Sequence, residues 1–394
     1  MPASDSSSDA PPNPTAPAPR SHPAGTTGRV LAVIAVAVVV LLGGIGTYEF
    51  VASHSGNGTT LVVYTYESLL GGCGSDVLTR LAQSFDQAHH AQLDIECVSG
   101  TLSSLLIQQK NAPSADLVVG LDEITGPQAD AAGVLLPYQS PELANVSPAL
   151  VDELAPDHSV TPYESGYLAV DYTPAFAAST GGAVANFSLP MVASNSTWAK
   201  NLLFEDPTTD IVGEEFLLSE IAFYETVLGS DWTTFWKAAD PNLGVSDSWS
   251  DAYGAFNASD PSSPGMVVSF NTDPAASVVG SSPPAYHTSL YHWNGATYGW
   301  RTIYGVGIVK GTQHLALDEA FVDWFLEGAV QSQIPTNEWE YPANVTTPLP
   351  PVFAWAENPP GVVPLNPGIP YASIPGSLAG WQDEWQTLWN KAHG

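Results

Sequence analysis

The sequence predicts an α/β fold of two compact lobes, on three observations. Short apolar runs alternate with amphipathic stretches from Leu61 onward, and turn residues punctuate them. The chain has 394 residues, 44% of them hydrophobic, enough to bury two cores. Alternation of this kind places the strands in a parallel sheet covered on both faces.

The elements come in order along the chain. Leu61–Tyr66 reads as the first strand; Ser75 and Asp76 then cap a helix whose apolar face is Val77, Leu78, Leu81, Phe85 and Ala88. A strand over Leu93–Val98, a helix over Leu102–Lys110 and a strand over Asp116–Gly120 continue the pattern. Further strands are expected at Gly166–Val170, Leu202–Glu205, Leu243–Ser246, Met266–Phe270 and Thr302–Val309. Helices are expected near Glu214–Val227, Trp232–Ala238, Ser250–Asn257 and Leu315–Leu326. A Pro-rich stretch from Tyr341 to Pro375 leads to a last helix bearing Trp381, Trp385 and Trp389 at i, i+4, i+8, a stripe that reads as packing against the body.

The N-terminal 28 residues are rich in Pro, Ser and Ala and read as a disordered cytoplasmic tail. Val30 to about Phe50 is apolar enough to span a bilayer, so residues 29–52 are expected to form a transmembrane anchor, followed by a linker over 53–59. Arg20 and Arg29 precede the span and place the remainder of the chain outside the cytoplasm, extracellular or periplasmic. A cleaved signal peptide would share that orientation. Six Asn-x-Ser/Thr triplets, at Asn57, Asn145, Asn186, Asn195, Asn257 and Asn344, agree with an outside location and a glycosylated surface. Cys73 and Cys97, the only cysteines, are expected to pair in an oxidising compartment; two free buried thiols are the alternative.

Forty acidic against nine basic residues give a net charge of −31. Nucleic acid is excluded as a partner, because phosphate neutralisation needs clustered Lys and Arg. A cationic ligand is favoured. Few Lys and few total charges also suit an acidic medium, although a saline or alkaline one fits the composition too.

Ligands of open parallel sheets sit beyond the carboxyl ends of the strands. Here those positions hold Tyr66 and Glu67; Ser99, Gly100 and Thr101; Asp122; Asp210; Trp249; Phe270 and Asp273; and, beyond Ile334, Trp339 and Tyr341. Aromatic faces with carboxylates and no convergent Lys or Arg are what a flat organic cation requires. No hydrolase, zinc-protease, nucleotide-binding or dinucleotide-binding motif is present. His89 and His90 are adjacent and diverge, and His287 and His292 have no companion ligands, so neither a metal nor a cofactor is expected.

Five ordered segments carry a family resemblance: Val63–Ser68 (VYTYES), Ala115–Asp122 (ADLVVGLD), Glu205–Pro207 (EDP), Ser248–Gly254 (SWSDAYG) and Ile334–Pro342 (IPTNEWEYP). With them the chain, from about Leu61 to Lys391, resembles the thiamine-binding periplasmic proteins of bacterial ABC importers. The resemblance implies a two-lobed type II periplasmic-binding fold with a ligand cleft between lobes. Lobe 1 would comprise residues 60–165 and 276–394, and lobe 2 residues 166–275. It also implies aromatic walls at Tyr66, Trp249 and Trp339, Asp122 facing the cleft, and hinge closure of a monomer on thiamine before delivery to a membrane permease driven by an ATPase. Where relatives often carry a second ring, this chain has Ala276, with Phe270 and an added Asp273 nearby. Asp210 stands where a phosphate would approach a helix start, which favours unphosphorylated thiamine. Alternatives are a thiamine-degrading transferase using Cys97 as nucleophile, with Glu67 or Asp122 as base, or a binding protein for a polyamine or ferric iron.

Overall fold

A mostly buried run in Thr59–Thr65 (β1) and alternating burial along Ala91–Cys97 (β2) start a sheet in the computed structural model, which describes residues 49–50 and 58–393 except 99, 239–241, 259, 261, 279 and 281. Six further strands complete its main path: Leu117–Leu121 (β3), Thr161–Tyr172 (β4), Leu202–Glu205 (β5), Gly244–Ser246 (β6), Met266–Phe270 (β7) and Arg301–Val309 (β8). From β2 the order runs β2-β1-β3-β8-β4-β7-β5-β6.

The sheet is mixed, where the sequence predicted a parallel one. β1 lies parallel to β2 and β3, and β5 parallel to β6 and β7, as the strand-helix alternation requires. Between these two groups β4 and β8 run antiparallel to each other and to their outer neighbours. β4 has twelve residues instead of the expected five, because it serves both groups. Its first half pairs with β8 and its second half with β7.

Two large hydrophobic cores result, with a small third cluster of Ala252, Phe256, Val267 and Tyr286. Tyr163 of β4 packs in the first, with Val63, Leu93, Val119, Ile303 and Phe325. Leu168, Val170 and Tyr172 pack in the second, with Phe204, Phe216, Met266 and Trp385. Tyr291, Trp300, Leu365, Ile374 and Leu378 all join the second core. The terminal helix Ile374–His393 packs there too, with Trp385 and Trp389 against Phe204 and Trp236.

Ser75 caps helix Asp76–His89, accepting from Leu78 N at 3.0 Å. Cys73 and Cys97 form a disulfide. Of the expected anchor, only Glu49–Phe50 is described, as a two-residue strand beside β2. Residues 1–48 and 51–57, which hold the expected tail, the rest of the anchor, most of the linker and Asn57, lie outside the described residues. Among the described residues no helix is long and apolar enough to cross a membrane. Asn344 is not an accessible glycan acceptor: it is buried, and its Nδ2 donates to Leu326 O while its Oδ1 accepts from Thr346. Asn186, Asn195 and Asn257 are exposed.

Candidate functional site

Tyr66 follows β1 and lies flat over the backbone of Gly120. A Cβ at residue 120 would sit 2.3 Å from the Tyr66 ring, and the φ of +106° there also favours glycine. The Tyr66 hydroxyl donates to Glu338 Oε2 at 2.9 Å and meets the Tyr163 hydroxyl at 3.0 Å. The other Glu338 oxygen accepts from Leu70 N. Glu338 is pushed up to about 7 by burial, against the pull of these two donors.

Glu338 and Glu340 both turn inward, and Trp339 between them adopts φ +61°, a left-handed backbone that is costly for a bulky side chain. Its half-buried ring lies nearly parallel to Phe353, 8° apart in plane, and Tyr341 meets the same Phe353 edge-on at 5.4 Å. Glu340 is buried against Gly166, where a Cβ would meet its Oε2 at 2.2 Å, and no donor reaches that oxygen.

On the second core, Trp249 opens helix Trp249–Asn257 and stacks on Tyr253 at 4.8 Å, with Phe270 at 6.4 Å. Its Nε1 donates to Ser269 Oγ at 2.9 Å, and Ser269 in turn donates to Asp273 Oδ2. Its backbone N donates to Asp210 Oδ2 at 2.9 Å. Asp210 is also the N-cap of helix Ile211–Ala222, accepting from Val212 N at 2.9 Å. This carboxylate therefore occupies the helix start itself.

Asp273 does not present a free carboxylate, as the sequence suggested. It is buried, supports Ser269 and the Phe270 backbone, faces Asp171, and is pushed up to about 6 by burial. Asp122 is likewise buried and self-capped: its Oδ1 accepts from Ile124 N at 2.8 Å and Thr125 N at 2.7 Å, while burial raises its carboxyl. Glu67, Gly100 and Thr101 are exposed and make no hydrogen bond to these groups, although Leu102 beside them touches Gly120. Ser99 lies outside the described residues.

The two aromatic groups are joined by acids. Glu340 faces Asp273 across the junction of the cores, and Asp122 faces Glu214, which also faces Asp210. Glu123, Glu164 and Glu215 complete this buried array. None of these three, nor Tyr163, Glu338 and Glu340, was singled out from the sequence. The available signal was carboxylates inside apolar stretches, such as Glu215 and Glu220 in helix Ile211–Ala222. Among the described residues the one Lys or Arg bonded to a carboxylate is Arg301, on Glu153 at 2.9 Å. No group of three His, Cys, Asp or Glu among them could hold a metal ion.

With both sulfurs in one disulfide, Cys97 is not a nucleophile, and the transferase alternative loses its reacting atom. What remains is a site of rings and carboxyls at the junction of two cores that are joined by antiparallel strands. That is the architecture of the periplasmic substrate-binding proteins, and the chain has their fold. It is similar over 335 residues, at 25% identity, to the thiamine-binding periplasmic protein of Escherichia coli, covering 83% of this chain and 92% of the relative. The family resemblance read from the five segments therefore stands. Among solved structures, a periplasmic thiamin binding protein matches with TM-score 0.66 and 21% identity, over 87% of this chain and 99% of that one. AfuA from Actinobacillus pleuropneumoniae, with fructose-6-phosphate bound, matches with TM-score 0.65 and 17% identity over 85% and 99%, so the fold itself is not particular to one ligand. No protein-family model matches the chain.

Proposed function

We propose that this protein is the ligand-capturing component of an ABC-type importer and that its ligand is unphosphorylated thiamine. The observation that carries the reading is a ring at strand ends of each core, Tyr66 in the first and Trp249 and Phe270 in the second, with Trp339 beside Phe353, and buried carboxyls that face one another between them. A flat cation gains from both: each desolvated ring contributes about 0.5–2 kcal/mol, and a carboxylate adds charge-assisted bonding. The curated relatives are named for thiamine binding, which supports the same choice. Phosphate is disfavoured because Asp210 already caps the helix start, and because the Thr208 and Thr209 hydroxyls are spent on Asp206 and on the Asp247 carbonyl.

Capture proceeds by closure of one core on the other, driven by contacts that exist only when both meet the ligand. A permease and its ATPase would receive the loaded form. The apolar segment from Val30 to about Phe50 would hold the protein at the outer face of the membrane.

Titration calorimetry of the protein with thiamine, thiamine phosphate and spermidine tests the ligand. Thiamine is expected to bind tightest, and Trp249→Ala and Trp339→Ala should each weaken it about tenfold or more. A folded protein that binds none of the three overturns the reading.

A further inference from the structure

Glu215 lies within helix Ile211–Ala222, fully buried, and neither of its oxygens receives a hydrogen bond. The titratable groups that face it are Glu123 and Asp122 after β3, Glu340 before the Tyr341–Pro342 strand, and Tyr304 on β8. None is a cation. Its neighbour Glu214 is held by Gln382 at 2.9 Å and faces Asp122 and Asp210 instead.

Glu123 sits at the seam of the cores. Its Oε1 accepts from Trp300 Nε1 at 2.7 Å and its Oε2 from Ile303 N at 2.9 Å, the first residue in one core and the second in the other. A carboxylate buried without a counter-charge costs several kcal/mol, and two facing carboxyls cannot both ionise in such a place. Something positive must lie between Glu123 and Glu215. In the empty protein a proton fills that requirement.

We infer that Glu123 and Glu215 form a proton-for-cation exchange pair: the empty cleft keeps a proton on the pair, and an organic cation entering the cleft displaces it to solvent. The inference rests on the cationic-ligand reading and extends it to how the site is regulated. Both carboxylates then remain ionised against the ligand's charge, and the proton appears in the medium. Ligand affinity consequently rises with pH until the pair has lost its proton unaided.

The test uses the full-length protein with thiamine and, separately, tetramethylammonium. Calorimetry at fixed pH between about 5.5 and 7.5, in two buffers of different ionisation heat, counts the protons released. About one proton per bound cation is expected, with affinity tightening up to tenfold for each step of one in pH. In Glu215→Gln the release should vanish and the pH dependence flatten. Should that variant not fold, Glu123→Gln and the wild-type proton count carry the same decision. Binding without proton release overturns the exchange and leaves the thiamine reading intact. Release with tetramethylammonium but no thiamine binding supports the exchange and sinks the thiamine reading. If neither cation binds, both are overturned.

Discussion

Trp339 shows how a single residue's backbone can record its use. Its φ of +61° is a conformation that a bulky residue adopts at a cost of roughly 1–3 kcal/mol. The position would suit glycine better, yet it carries an indole beside Phe353. Two buried neighbours impose the strain, Glu338 bound to Tyr66 and Leu70, and Glu340 set against Gly166. Trp339→Gly should therefore raise thermal stability slightly while abolishing tight thiamine binding, whereas Trp339→Ala should lose binding without the gain. Parallel melting and titration of the two variants separate backbone strain from ring contact. A Gly variant less stable than the Ala variant would show that the strain is not stored there.

At the scale of the element, helix Ile211–Ala222 does more than cover the sheet. Its N-cap Asp210 fixes both its own first turn and the backbone of Trp249, so one carboxylate aligns two helix starts. Asp210→Ala should cost about 1–2 kcal/mol, the usual loss for such a cap, and should also weaken thiamine binding by loosening Trp249. Chemical denaturation measures the first and Trp fluorescence titration the second. Asp210→Asn, which can still accept hydrogen bonds, should recover most of both. The sequence marked Asp210 as an anion near a phosphate position; that its second oxygen also holds Trp249 depends on β5 and β6 lying side by side.

The whole molecule is an acid-filled fold. Glu205, Glu215, Glu220 and Asp171 are all fully buried and hold oxygens that meet no donor, and burial pushes each carboxyl well above its usual range. Glu123 and Glu214 are pushed up to about 8, Glu338 to about 7, and Asp318 to about 6. The folded state thus holds more protons than the unfolded one between about pH 4.5 and pH 8. Stability is then greatest below the ordinary carboxylate range and falls as pH rises through the raised values. The melting temperature of the ligand-free protein should drop between pH 4.5 and pH 8, on the order of 10 °C. A melting temperature that rises over that window would show that cations or water, and not protons, satisfy these groups.

Local pattern and composition by themselves determined much of this. The strands Leu202–Glu205 and Met266–Phe270 were legible to the residue, because short apolar runs between turn residues have few other conformations open to them. The cap at Ser75 and the packing of the terminal Trp stripe were legible for the same local reasons. The rings Tyr66, Trp249 and Trp339 stood out at strand ends and in family-like segments. Tertiary structure alone decided the double service of β4, the antiparallel seam with β8, and the assignment of the terminal helix to the second core. It alone also joined Asp210 to Trp249 and gathered Glu123, Glu215, Glu338 and Glu340 at the seam, whereas the donors that cap Asp122, Asp210 and Asp273 lie within four residues of them. The role of a seam carboxyl is set by donors and charges from residues distant along the chain, as Tyr66 and Leu70 are from Glu338.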